Sequence, residues 1–236
     1  MNMGRIWLSF LLCLCLGCGQ NSATKKSHSS ITAEASNDDG SAQSSAPNHS
    51  LADQTSAASD NNFVFHPFYI FNEKGSRENH YVPSGFMPDG KCVNFEDSWT
   101  QACQSGQTCL KITFEVECAK ENQSWAGIYW LNPSNNWGKR KGGFNLTGAK
   151  KLSFWAKGEN GGEQIQEFTV GGITGDYPDS DTISIGPVIL TNQWKEYSID
   201  LRGKDLSYIS GGFAWTTSVD VNPEQCIFYL DNIKFE

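Results

Sequence analysis

Trp125-Ala126-Gly127-Ile128-Tyr129-Trp130-Leu131-Asn132-Pro133-Ser134-Asn135-Asn136-Trp137-Gly138 places three Trp and one Tyr in fourteen residues. Its first half reads as a strand. Successive side chains of an extended chain point to opposite faces, so Trp125, Gly127 and Tyr129 share one face and Ala126, Ile128 and Trp130 the other. Its second half carries the Asn, Pro and Gly of a loop and runs into the basic Lys139-Arg140-Lys141. One face of such a strand belongs to a core and the other is free for a flat ligand. Alternation alone leaves open which is which.

The segments on either side repeat the pattern. Phe63 to Phe71 is an aromatic run broken by Pro67, suited to an edge strand or a packed extended arm. Asn72 to Gly90, with its Gly, Pro, Ser and charges, reads as a long surface loop. Strands are expected at Cys92–Glu96, Thr108–Val116, Trp125–Leu131, Lys151–Lys157, Ile165–Gly171, Thr182–Ile185, Lys195–Leu201, Gly212–Thr216 and Ile227–Phe235. Leu110, Ile112, Phe114 and Val116 alternate with Lys111, Thr113 and Glu115. Glycine- and aspartate-rich turns separate the runs, and helical hints amount to single turns. The fold class is therefore all-β, an antiparallel β-sandwich or barrel over residues 63–236. A segment of that length can bury about 70% of its unfolded surface around one core.

The N-terminal part is of a different kind. Met1 to Arg5 is a short positive region, and Ile6 to Leu16 is an apolar run too short to span a bilayer. The sequence Leu14-Cys15-Leu16-Gly17-Cys18 resembles a bacterial lipoprotein signal, with Cys15 where Leu is usual. The resemblance implies residues 1–18 as signal, with Cys18 becoming the lipid-bearing first residue. An ordinary cleaved secretory signal is the alternative. Acyl chains at about 0.8 kcal/mol per buried methylene would anchor the chain to a membrane without spanning it. Gly19 is not the Asp that retains some lipoproteins at an inner membrane, so the expected address is the cell envelope, at the outer membrane or cell surface. Residues 19–62, rich in Ser, Ala, Asn, Asp and Thr, read as a disordered linker.

Net charge is −8, and −9 once Arg5 is removed with the signal. A phosphate-backbone partner needs clustered Lys and Arg, so nucleic acid is not expected. Of the five cysteines beyond the signal, Cys103 and Cys109 bracket a short turn and are expected to pair. Cys118 with Cys226 is the second expected pair, leaving Cys92 free. Zinc is disfavoured, because no C-x-x-C exists and His66 and His80 stand apart.

Phe95-Glu96-Asp97, Lys151-Leu152-Ser153-Phe154-Trp155-Ala156-Lys157-Gly158, Trp194-Lys195-Glu196-Tyr197-Ser198-Ile199-Asp200-Leu201 and Phe228-Tyr229-Leu230-Asp231-Asn232-Ile233 occur in that order. Together they resemble the galactose-binding-like jelly rolls of carbohydrate-binding modules, over Cys92 to Glu236. The resemblance implies a structural Ca²⁺ tying first strand to last, with Glu96 and Asp231 at the ligand positions. Physically, such an ion takes six to eight oxygens. A solvated Glu96 and an Asp231 that caps a bulge are the alternative.

A pyranose presents an apolar C–H face that stacks on Trp or Tyr, while Asp, Asn, Gln and Arg read its hydroxyls. Candidate ligand-binding residues are Trp125, Tyr129, Trp130, Trp137, Trp155, Tyr177 and Trp215. Trp194 and Tyr197 are expected to pack. The acidic loop Asp176, Asp179 and Asp181 lacks the Gly and terminal Glu of an EF-hand and reads as a solvated turn. No nucleophile motif is present. Glu163 and Glu167, four apart, could suit a retaining glycosidase if they shared one strand face, but the acid such enzymes keep midway is Ile165 here. The expectation is a non-catalytic, lipid-anchored carbohydrate-binding protein. Its rivals are a protein-interaction lipoprotein without a sugar site and, third, a hydrolase using Glu163 and Glu167.

Overall fold

The structure, a computed structural model, describes residues 64–236. The expected signal, linker and lipid-acceptor Cys18 lie outside the described residues.

The elements are β1 (Phe68–Phe71), β2 (Val82–Met87), β3 (Val93–Trp99), β4 (Cys109–Phe114), α1 (Val116–Lys120), β5 (Trp125–Leu131), β6 (Lys151–Gly158) and β7 (Gln164–Ile165). They continue with β8 (Glu167–Gly171), β9 (Thr182–Ile185), β10 (Val188–Ile189), β11 (Lys195–Asp200), β12 (Gly211–Ser218) and β13 (Cys226–Phe235). The first sheet has the order β11-β6-β13-β4-β3, with β1 added alongside β13, and the second has the order β2-β5-β12-β8-β9. All strand pairs are antiparallel. The chain passes directly from one sheet to the other between β1 and β2, β2 and β3, β4 and β5, β5 and β6, β11 and β12, and β12 and β13, and by way of the β7–β10 pair between β6 and β8 and between β9 and β11. This is the expected antiparallel jelly-roll sandwich.

Period-2 alternation decides what fills it. Leu110, Ile112 and Phe114 from β4, Phe154 and Ala156 from β6, and Phe228 and Leu230 from β13 face Ile128, Trp130, Phe168, Val170, Phe213 and Trp215 of the second sheet. None of these is more than 1% exposed. Trp130 meets Phe213 edge-on at 5.5 Å and Trp215 meets Phe228 edge-on at 5.0 Å between centroids, and Phe168 stacks on Phe213 at 5.7 Å. Such contacts add about 0.5–1.5 kcal/mol beyond area burial. Tyr197 stacks on Phe154 at 5.8 Å, as its expected packing role requires.

Three expectations change. Asn72–Gly90 is not all loop: Val82–Met87 forms β2, an edge strand that tolerates Pro83 because one side needs no ladder partner. The run expected at Ile165–Gly171 is two strands, because Gln166 donates its N–H to Thr216 O while β7 turns away to pair with β10. The second cysteine pairing is corrected. Cys92 bonds Cys118, Cys103 bonds Cys109 as expected, and Cys226 is a free buried thiol. Cys226 begins β13 with its side chain in the core, whereas Cys118 sits on α1 next to the start of β3. Burial pushes the Cys226 thiol up to about 12, with the Glu163 carboxylate adding to the shift.

Candidate functional site

The outward face of the second sheet is set by register. Gly85, Tyr129, Ala214, Thr169 and Ser184 form one row across it, and Met87, Gly127, Thr216 and Glu167 form the next. Trp125 stands beyond, opposite Ser218. The floor is made of small residues. A side chain at Gly127 would meet Thr216 Cγ2 at 3.0 Å and Met87 Cε at 2.8 Å, so only glycine leaves this strand low enough.

Aromatics rise on the β2–β5 side. Trp125 is 36% and Trp137 40% exposed. Trp137 meets Tyr129 edge-on at 5.8 Å and lies over Gly85. Tyr129 donates its hydroxyl to Gly171 O at 3.1 Å. Burial pushes its phenol up to about 12, with Asp179 and Glu167 adding to the shift, so it stays protonated.

The other half of the face is polar. Thr216, Glu167 and Ser184, with Gln166, Ile185 and Gly186, line a groove of about 390 Å³. This strip, the trough of the second sheet, carries aromatic rings on its β2–β5 half and hydroxyl and carboxylate groups on its other half, along which the groove runs.

Two loops hold the aromatic end. Asn136, buried at the turn, donates to Arg140 O at 2.8 Å, and Asn135 N–H donates to Ser84 Oγ at 2.9 Å. The second loop, Gly172–Asp181, packs against the first through Tyr177 N–H to Gly138 O at 2.9 Å. Asp179 organises it, accepting from Ser210 N–H and Oγ at 2.5 and 2.7 Å and from Ile173 and Gly211 N–H at 3.1 Å each. Asp179 is thus a half-buried acceptor hub, which the reading of its loop as a solvated turn missed. Tyr177, half-buried, stands at the rim beside Trp137's loop.

The aromatic candidates therefore separate by face. Trp125, Tyr129 and Trp137 belong to the trough side, and Tyr177 lies half-buried in the loop that bonds to Gly138. Trp130 and Trp215, at 1% and 0% exposure, are core and cannot stack on a ligand; the inward phase of β5 and β12 places them there. Trp155 lies across from Asp231 and Glu196 on the outward face of the first sheet, away from the trough. The residues that sequence reading missed here, Thr169, Ser184, Thr216 and Met87, join the site only through cross-strand register.

The β13–β4–β3 part of the first sheet's outward face is covered by its own chain, whereas the β11 side is open. Tyr229 packs between Trp99 at 6.1 Å and Trp194 at 6.4 Å. Lys111 sits 4.0 Å over Trp99, and Lys157 lies 4.7 Å over Tyr229. The loop closed by Cys103–Cys109 crosses this face, fastened by Trp194 Nε1–H to Ala102 O at 2.8 Å.

The Glu96/Asp231 calcium pair is not assembled. Glu96 pairs with Lys111 at 3.3 Å. Asp231, fully buried, accepts at Oδ2 from Gln104 and Ser105 N–H at 3.1 and 3.0 Å, while Oδ1 has no partner. Main-chain donors aimed at the carboxylate present positive charge where a cation needs lone pairs. Burial raises Asp231 to about 6 despite those donors. Among the described residues, no three His, Cys, Asp or Glu side chains are grouped to hold a metal ion.

Glu163 and Glu167 do not share a cleft. Glu163 is buried, accepting Asn160 N–H at 2.8 Å and packing its other oxygen on Gly158, whereas Glu167 is exposed on the trough.

No family model and no curated protein matches the chain. Solved structures do resemble it. A family 30 carbohydrate-binding module of a cellulosomal cellulase of Clostridium thermocellum is 14% identical, covering 72% of this chain and 97% of that one at a TM-score of 0.47. A family 11 carbohydrate-binding module from the same organism, in complex with a β-1,3-1,4-mixed-linked tetrasaccharide, is 14% identical over 61% and 80%, at 0.37. A xylan-binding domain of Paenibacillus barcinonensis Xyn10C is 16% identical over 66% and 87%, at 0.39.

Proposed function

We propose that the chain is a non-catalytic carbohydrate-binding protein whose ligand lies in the trough of the second sheet. The observation that carries this reading is the division of one strip of the sheet face into aromatic and hydroxyl-bearing halves. A pyranose is divided in the same way, with an apolar ring face and polar edges. Trp125, Tyr129 and Trp137 stack on ring faces, and Thr216, Glu167 and Ser184 hydrogen-bond hydroxyls. No general acid and base pair faces the trough, so the bound sugar is held and not cleaved.

The same reading makes the protein a lipid-anchored one, exported and tethered through Cys18 with residues 19–62 as a stalk. Two disulfides in the sandwich support an oxidising compartment. A structural Ca²⁺ held by Glu96 and Asp231 together is not part of it.

The test is affinity electrophoresis of the protein through gels containing soluble polysaccharides. Retardation that disappears in Trp137→Ala supports the trough. Free migration on every polymer would rule the reading out.

A further inference from the structure

We infer that Glu167 makes the trough selective for neutral over acidic glycans, an inference that rests on the carbohydrate reading above. The charge distribution of the two sheets carries it. The five strands of the second sheet contain no Lys, Arg, His or Asp, and Glu167 is their one carboxylate. The first sheet is the opposite, with Lys111, Lys151, Lys157, Lys195 and Lys234 set among Glu96, Asp97, Glu196, Asp200 and Asp231.

Glu167 stands at the edge of the groove with Thr216 and Ser184, exposed, and makes no ion pair among the described residues. The nearest basic run along the chain, Lys139-Arg140-Lys141, lies past Trp137, and Arg140 is turned back onto Ser134 O at 2.8 Å. No cation on these strands offsets Glu167.

A neutral sugar crossing this point offers hydroxyl donors to a carboxylate that has free lone pairs, which makes charge-assisted hydrogen bonds. A uronate or sulfate ester brings a second negative charge to the same spot, and nothing on the sheet compensates it. The residue therefore acts in both directions, binding one class and repelling the other.

The experiment measures affinity of the full chain for a neutral galactomannan and for polygalacturonate, in low salt and in 1 M NaCl. At the higher salt the screening length is about 3 Å, so repulsion from the protein's overall negative charge is removed and what remains is local. The wild type is expected to bind galactomannan about tenfold or more tightly than polygalacturonate in both salts. Glu167→Gln keeps the side-chain shape and should shrink that ratio several-fold, and Glu167→Lys should shift it towards the acidic polymer. Equal binding of both polymers by the wild type, or a ratio unmoved by either variant, overturns the role of Glu167 and leaves the trough reading standing. Binding of neither polymer by the wild type overturns this inference, and free migration on every other soluble polysaccharide as well refutes the carbohydrate reading with it.

Discussion

Trp137 and Asp231 are both polar-edged positions of an otherwise apolar design, and each makes a separate prediction. Trp137 is exposed on a loop held by Asn135 and Asn136, so Trp137→Ala should leave folding within about 0.5 kcal/mol and weaken glycan binding by about 1–3 kcal/mol, as loss of a stacked ring does elsewhere. Titration calorimetry and a urea melt separate the two. Asp231 predicts a pH effect. Its folded value, about 6, lies above the usual carboxylate range, so the folded state holds the proton more tightly. Stability therefore falls as pH rises from about 4 to 6, by up to about 3 kcal/mol. His80, held below its ordinary value by burial, acts in the opposite sense as pH drops below about 6.5. The readout is thus the difference between proteins: Asp231→Asn should be relatively more stable at pH 7 than at pH 4.5, and parallel wild-type and variant curves would contradict the burial argument.

Strands and loops differ in how plainly the sequence announced them. The β5 span was legible to the residue, because three inward apolar side chains alternate with Trp125, Gly127 and Tyr129 over a turn-bounded run. Which face was core was not legible, since Trp130 and Trp125 are the same residue type and only the partner sheet tells them apart. Val82–Met87 was hidden by Pro83 and Gly85, residues that read as loop yet suit an edge strand beside a ring. The disulfide of Cys103 and Cys109 was visible as a local turn, whereas Cys92–Cys118 depends on where α1 places its second cysteine. Loop length also sets energy. In the chain-entropy picture the separation of 26 residues between Cys92 and Cys118 is worth about 3.5 kcal/mol, against about 2.2 kcal/mol for the separation of 6 at Cys103–Cys109. Paired Cys→Ala replacement followed by urea unfolding should show the larger loss for Cys92/Cys118, and the reverse order would mean that strain or native packing outweighs loop entropy.

The described residues form a sandwich with one charged, partly self-covered face and one trough nearly free of charge. Main-chain N–H groups occupy Asp231 Oδ2 and Glu96 is turned to Lys111, so chelation should leave the melting temperature unchanged; a drop of several degrees in EDTA would show a bound ion. Anchoring is tested in cells. Cys18→Ser should move the protein from the membrane fraction to the soluble envelope or medium, and continued sedimentation with membranes would exclude the lipid anchor. The jelly roll could be read from ordered strand signatures, but the trough could not, because it is assembled from β2, β5, β12, β8 and β9, whose pairing is non-local. The decisive experiment is calorimetric titration of the protein with soluble neutral polysaccharides, run beside the Trp125→Ala/Trp137→Ala double variant. Saturable binding by the wild type that the folded double variant loses is the expected outcome. Absence of binding across the polymers, or binding that the double variant retains in full, would contradict a carbohydrate site in this trough.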